Sequence, residues 1–177
     1  MTHKILKTEV VYKAHAFNVL RDQVQFPSGK VHAMDIVVHT GAVAMVPIDS
    51  DGNIVLVRQY RHSAKKALLE LPAGTLKKGE DPEACAQREL REEIGMAPGS
   101  LIKLADFFLA PGYSTERMWI YLARDLKPER LPGDEDEDLT IEIMSVEQAF
   151  AAVKSGQIED AKTILGVFLA GEVLSGK

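Results

Sequence analysis

Residues 80–93 put more negative charge on one helical segment than a surface helix comfortably keeps. The stretch reads Glu80-Asp81-Pro82-Glu83-Ala84-Cys85-Ala86-Gln87-Arg88-Glu89-Leu90-Arg91-Glu92-Glu93, six acids against two arginines. An α-helix turns by about 100° per residue, so Glu89, Glu92 and Glu93 fall on one face. Glu89 and Glu93 stand at i, i+4, a like-charge pair that costs roughly 0.2–0.5 kcal/mol. Arg88 precedes Glu92 by four residues and is the one local partner, in the weaker orientation. Three hard oxygen donors on a rigid surface suit Mg²⁺ or Mn²⁺, and Glu80 at the mouth of the helix adds a fourth. Without its spacing, the same pattern describes a solvated acidic face.

The helix ends are legible. Asp81 is a good N-cap, Pro82 fits the first helical position, and Gly95 suits a left-handed C-terminal position. Ala86, Leu90 and Ile94 form an apolar stripe beside the carboxylates, so one edge is expected in the core and the acidic edge in a cleft. A diphosphate cannot dock there unaided. Two like charges about 5 Å apart at an effective dielectric near 20 repel by roughly 3 kcal/mol.

The spacing is specific. Gly74, Glu80, then Arg88-Glu89-Leu90-x-Glu92-Glu93-x-Gly95-Met96 resembles the Nudix box at each fixed position, Met96 standing where the family mostly has Ile, Leu or Val. The resemblance implies an α/β fold, a Nudix-like α/β/α sandwich with a mixed sheet, preceded here by a small N-terminal antiparallel β region. It implies metal-dependent hydrolysis of a nucleoside diphosphate linked to another group. Glu89, Glu92, Glu93, Glu80 and the Ala73 carbonyl are the expected metal ligands, and Arg88 orients the carboxylates. Mg²⁺ is the expected cofactor, with Mn²⁺ an alternative.

Three shorter stretches narrow the substrate class by resemblance to the ADP-ribose pyrophosphatase subgroup. Glu70-Leu71-Pro72-Ala73-Gly74 resembles its lead into the box. Gln59-Tyr60-Arg61 resembles its Gln-x-Arg segment, which makes Arg61 the expected substrate-binding arginine ahead of Arg58. Pro111, sixteen residues beyond Gly95, opens Gly112-Tyr113-Ser114-Thr115-Glu116, similar to the subgroup marker. Gly112, Ser114 and Glu116 are therefore expected at the substrate, although Pro-Gly alone is an ordinary turn. The acidic run Asp134-Glu135-Asp136-Glu137-Asp138 resembles the loop that supplies the general base. The match falls on Glu135, with Glu137 its rival. ADP-ribose is then the expected substrate, giving AMP and ribose 5-phosphate. Another nucleotide sugar such as GDP-mannose, or a dinucleoside polyphosphate, is the alternative. A non-catalytic ADP-ribose sensor is a poorer fit, because this chain keeps every carboxylate of the box.

The remaining chain supports this frame. A net charge of −5 excludes a general nucleic-acid footprint. No stretch approaches membrane-span length, and a single cysteine fits a reducing compartment, so a cytoplasmic protein is expected. Residues 1–40 are expected to form strands over 5–13, 16–26 and 31–39, a β extension that dimerises. Residues 41–177 are expected to form the catalytic domain, with strands over 41–49, 54–61, 101–109 and 117–123. Ser145 and Gln148 predict a capping box on a helix ending at Gly156. A last helix, about 160–174, is expected to bury Ala161, Ile164, Leu165, Phe168 and Leu169.

Overall fold

The computed structural model describes residues 2–133 and 138–176. It forms two compact units, Met1–Gly41 with Phe107–Met118, and Ala42–Asp106 with Trp119–Lys177.

The first unit is built on an antiparallel sheet of order β1-β2-β3, formed by β1 (Lys4–Lys13), β2 (Asn18–Gln25) and β3 (Val31–Val38). A turn at residues 27–30 joins the last two, with Gly29 at φ 84° and the Gly29 N–H donating to the Phe26 carbonyl at 2.8 Å. All ten residues of β1 are exposed, including Ile5, Leu6, Val10, Val11 and Tyr12. Residues 110–116 are stitched to the end of β3. The Val37 N–H donates to the Tyr113 carbonyl at 2.8 Å, and the Thr115 N–H to the Val37 carbonyl at 2.9 Å.

The second unit is α/β. It contains β4 (Ala42–Pro47), β5 (Ile54–Arg61), β6 (Lys66–Glu70), β7 (Ala73–Thr75), α1 (Pro82–Glu89), β8 (Met96–Ala97), most of β9 (Ser100–Phe108) and of β10 (Arg117–Arg124), β11 (Lys127–Pro128), β12 (Leu139–Met144), α2 (Val146–Ser155) and α3 (Ala161–Leu174). One sheet has the order β7-β4-β10-β9, another β12-β5-β6, and β8 pairs with β11.

Alternation along β4 and β10 explains the layers. Val43, Met45, Trp119, Tyr121 and Ala123 pack in the cluster that holds Cys85, Ala86, Leu90 and Ile94 of the box helix. Val46 and Ile120, pointing the opposite way, meet α3 at Gly166. Helix thus covers both faces of this sheet, as a half-buried strand pair cannot do for itself. Fully burying side chains such as Leu90 and Ile120 stabilises the unit by about 1.5–3 kcal/mol each.

Residues 50–53 turn the chain from one sheet into another, and further on the buried face of α3 differs from expectation. Asp49 Oδ1 accepts the Asp51 and Asn53 N–H groups at 2.9 and 2.8 Å, and the chain leaves into the β12-β5-β6 sheet after a single bridge from Ile48 to Ile54. Helix α3 buries Thr163, Gly166, Val167 and Ala170, while Phe168 is exposed. The sheet approaches too closely for large residues. A Cβ on Gly166 would lie 2.4 Å from Leu71 Cδ1. The capping box on α2 is as expected, with Gly156 in the left-handed position at its end. Among the described residues no helix is long and apolar enough to cross a membrane.

Candidate active site

The site is set by the helix that follows β7. Asp81 caps α1 through Oδ2, which accepts the N–H groups of Glu83 and Ala84 at 3.0 and 3.1 Å, and Pro82 occupies the first turn. The α-helix stops at Glu89, one turn earlier than the spacing predicts. Leu90–Ile94 continue as a π-helical turn closed by the Gly95 N–H on the Leu90 carbonyl, with Gly95 at φ 71°. The widened turn engages the chain beyond β11: the Arg91 carbonyl accepts the Leu131 N–H at 3.0 Å.

This backbone splits the carboxylates into two groups. Glu80, Glu89 and Glu92 gather on Arg88. Arg88 Nε and Nη2 donate to the two oxygens of Glu80 at 2.9 and 3.0 Å. Its Nη1 donates to Glu89 Oε1 at 2.6 Å and to Glu92 Oε2 at 2.7 Å. Glu93 turns instead towards β7, where its Oε2 accepts the Ala73 N–H at 3.2 Å. Glu89 and Glu93 are buried. Gly74 is required here because Glu89 lies across its backbone; an added Cβ would sit 1.9 Å from Glu89 Cδ.

Three carboxylates share the Arg88 guanidinium and Glu93 lies in the field of Arg61, so acids outnumber the cations that face them in a largely desolvated place. The Arg88 hydrogen bonds hold Glu80 down at about 2 against the opposing effect of burial. Arg88 in turn is held firmly protonated, chiefly by Glu80. Cys85 lies beneath, its thiol pushed up to about 12 by burial. The donor set is all hard oxygen and suits a divalent cation of the Mg²⁺ type. The carboxylates are organised on Arg88, and among the described residues no three converge as a ready cation pocket.

The other expected residues fall as follows. Arg61 ends β5 and donates through Nε and Nη2 to both oxygens of Glu70 at 2.8 and 2.8 Å. Arg58 pairs across the sheet with Glu142 of β12, Nη2 to Oε2 at 3.1 Å. Ala73 lies in β7, paired with Ala44. Gly112, Ser114 and Glu116 belong to the first unit. There the Ser114 hydroxyl accepts the Glu116 N–H at 3.1 Å, and Glu116 approaches His39 Nδ1 at 3.9 Å. Glu135 and its rival Glu137 lie outside the described residues.

Sequence reasoning passed over Glu70 and Lys162. Glu70 is 1% exposed and is also bonded by Lys162 of α3. The signal was present: a lone acid in Leu68-Leu69-Glu70-Leu71 must find cations when that strand is buried.

Comparison with known proteins agrees with this geometry. An ADP-ribose pyrophosphatase of Bacillus subtilis (strain 168) is 34% identical over 169 residues, covering 94% of this chain and 91% of that one. A methanol dehydrogenase activator of Bacillus methanolicus is 37% identical over 166 residues, covering 93% and 90%. A solved structure described as an ADP compounds hydrolase superposes with a TM-score of 0.88 at 29% identity, covering 99% of this chain and 96% of that one. The NUDIX domain model matches residues 38–165. An acidic helix gathered on one arginine, a glycine beneath it and this domain match agree: the chain belongs to the Nudix family.

Proposed function

We propose that the protein is a Mg²⁺-dependent ADP-ribose diphosphatase, hydrolysing the diphosphate to AMP and ribose 5-phosphate. The observation that carries this reading is the convergence of Glu80, Glu89 and Glu92 on Arg88, beside a buried Glu93, with too little positive charge of their own. Similarity to an ADP-ribose pyrophosphatase and to an ADP compounds hydrolase supports the choice of substrate.

In this reading Glu89, Glu92, Glu93, Glu80 and the Ala73 carbonyl would hold the metal. Mg²⁺, or Mn²⁺ in its place, would supply positive charge against the diphosphate and ease deprotonation of the attacking water. Arg88 orients the carboxylates, keeping Glu89 and Glu92 in one rotamer each through a shared Nη1. Arg61 grips a phosphate through the donors it does not give to Glu70, with Arg58 as a more remote charge. Gly112, Ser114 and Glu116 contact the ribose or phosphate. Glu135 accepts the proton from the attacking water.

The protein acts as a cytoplasmic homodimer. Support for the dimer is the exposed apolar run Ile5, Leu6, Val10, Val11 and Tyr12 on a strand whose every residue is exposed. The cytoplasmic assignment rests on the unpaired Cys85.

Hydrolysis of ADP-ribose with Mg²⁺ in ¹⁸O-water tests the reading. Labelled AMP or labelled ribose 5-phosphate supports it and identifies the attacked phosphorus. Faster turnover of GDP-mannose or of a dinucleoside polyphosphate than of ADP-ribose rejects the substrate assigned.

A further inference from the structure

Among the described residues Glu70 is the most deeply buried carboxylate, with its side chain 1% exposed. Burial works against its charge, but the Arg61 hydrogen bonds and the Lys162 charge keep it ionised below the ordinary carboxylate value. Lys162, in the first turn of α3, donates to Glu70 Oε2 and pairs with Asp160 Oδ1 at 3.0 Å. Asp160 caps α3: its Oδ2 accepts the Thr163 N–H at 3.0 Å and the Thr163 hydroxyl at 2.6 Å. The same hydroxyl oxygen accepts the Leu71 N–H at 2.8 Å. The start of α3 is therefore bonded to two consecutive residues, Glu70 and Leu71, just ahead of β7, whose first residue meets Glu93.

Arg61 is the outward end of this chain of contacts. Its side chain keeps 39% exposure although two of its N–H donors are given to Glu70. The fork of an arginine is planar, so anchoring the Nε edge fixes the direction of the Nη1 edge. Glu93 is near enough to contribute to the field that keeps Arg61 charged, after Glu70 itself. A buried carboxylate with one counter-charge would consume that charge. Lys162 takes the same oxygen but also pairs with Asp160, so two cations and two carboxylates balance, and what Lys162 lends Arg61 is a fixed Glu70 anchor for its guanidinium fork.

We propose that Lys162 and Glu70 are positioning residues for Arg61, holding its open edge towards the diphosphate of a substrate bound at the box. The proposal rests on the functional reading above, and its test separates the two. The wild-type rate on ADP-ribose, measured first, tests only that reading. A double-mutant cycle of Arg61→Ala and Lys162→Met is then run in Mg²⁺ with whichever nucleoside diphosphate the wild type cleaves fastest.

Lys162→Met is expected to raise KM roughly tenfold or more with little change in kcat, as loss of a charged hydrogen-bond partner does. In the Arg61→Ala background the same substitution is expected to leave KM unchanged, whereas Lys162→Arg, made with Arg61 intact, is expected to keep the wild-type KM. A KM effect of equal size in both backgrounds overturns the proposal, as does an unchanged KM in Lys162→Met. If Lys162→Met does not accumulate as folded protein, Lys162→Gln is read in the same cycle with the same two outcomes.

Discussion

Arg88 holds both oxygens of Glu80, eight residues earlier in the chain, with Nε at 2.9 Å and Nη2 at 3.0 Å. The remaining edge of the same guanidinium bridges Glu89 and Glu92. One side chain therefore joins the mouth of the helix to its π-helical end, and its removal should be felt at both.

Arg88→Met is expected to destabilise the metal-free protein by roughly 1–3 kcal/mol, because the buried Glu89 and the half-buried Glu80 and Glu92 lose their shared donor. Chemical denaturation in EDTA measures this. Added Mg²⁺ should recover part of the loss if the carboxylates then serve the cation alone.

The same pair makes an acid limit. Glu80 titrates at about 2 when folded against an ordinary 4.5. Its contribution to stability is thus complete above pH 4.5 and disappears as pH falls towards 2. In EDTA, the wild type should lose stability over this window more steeply than Glu80→Gln, which has no proton to gain. Parallel stability curves for the two proteins would contradict the assignment.

Gly74→Ala adds a Cβ where Glu89 Cδ already lies, at 1.9 Å. Overpacking of this kind costs about 1–3 kcal/mol, and Glu89 is the flexible partner that must yield. Turnover at low Mg²⁺ should fall more than turnover at saturating Mg²⁺. Equal losses at both concentrations would mean that Glu89 has not been displaced from a metal site.

Glu93→Gln keeps the side-chain shape and an oxygen to accept the Ala73 N–H. It should fold with near wild-type stability and lose roughly 10²-fold or more in kcat, since a neutral amide is a poor ligand for a hard cation. Full turnover by this variant would remove Glu93 from the site.

Thr163→Val tests the contact between α3 and the strand that precedes the box. The buried hydroxyl accepts the Leu71 N–H at 2.8 Å. Its loss leaves a buried donor without a partner and should cost about 1–3 kcal/mol in denaturation experiments.

What was legible in the sequence was local. Asp81, Gly95, and the Ser145–Gln148 box act within a few residues of themselves, and each is found as expected. The Arg88 cluster was half legible: the i, i+4 pair with Glu92 follows from spacing, whereas the hold on Glu80 needs the loop to fold back. The π-helical turn was not legible, because no residue type demands it and the Leu131 N–H that meets it is forty positions away from Arg91. Glu70 and Lys162 are 92 residues apart, and Arg58 and Glu142 are 84 apart. Such pairs are created by packing, so a charge pattern read along the chain cannot match them. For α3, helical periodicity found an apolar helix, but the close approach of the sheet chose the face with the smallest side chains.

Cys85 gives the box a built-in reporter. It is the chain's single thiol, fully enclosed under Arg88, with its sulfur 3.3 Å from Nη2. No alkylating reagent reaches it while the helix is seated, so each labelling event records one excursion of that helix from its bed. The rate at which a maleimide consumes this sulfur, with and without cation, is therefore a clock for how often the acidic helix lifts away, with no engineered probe required.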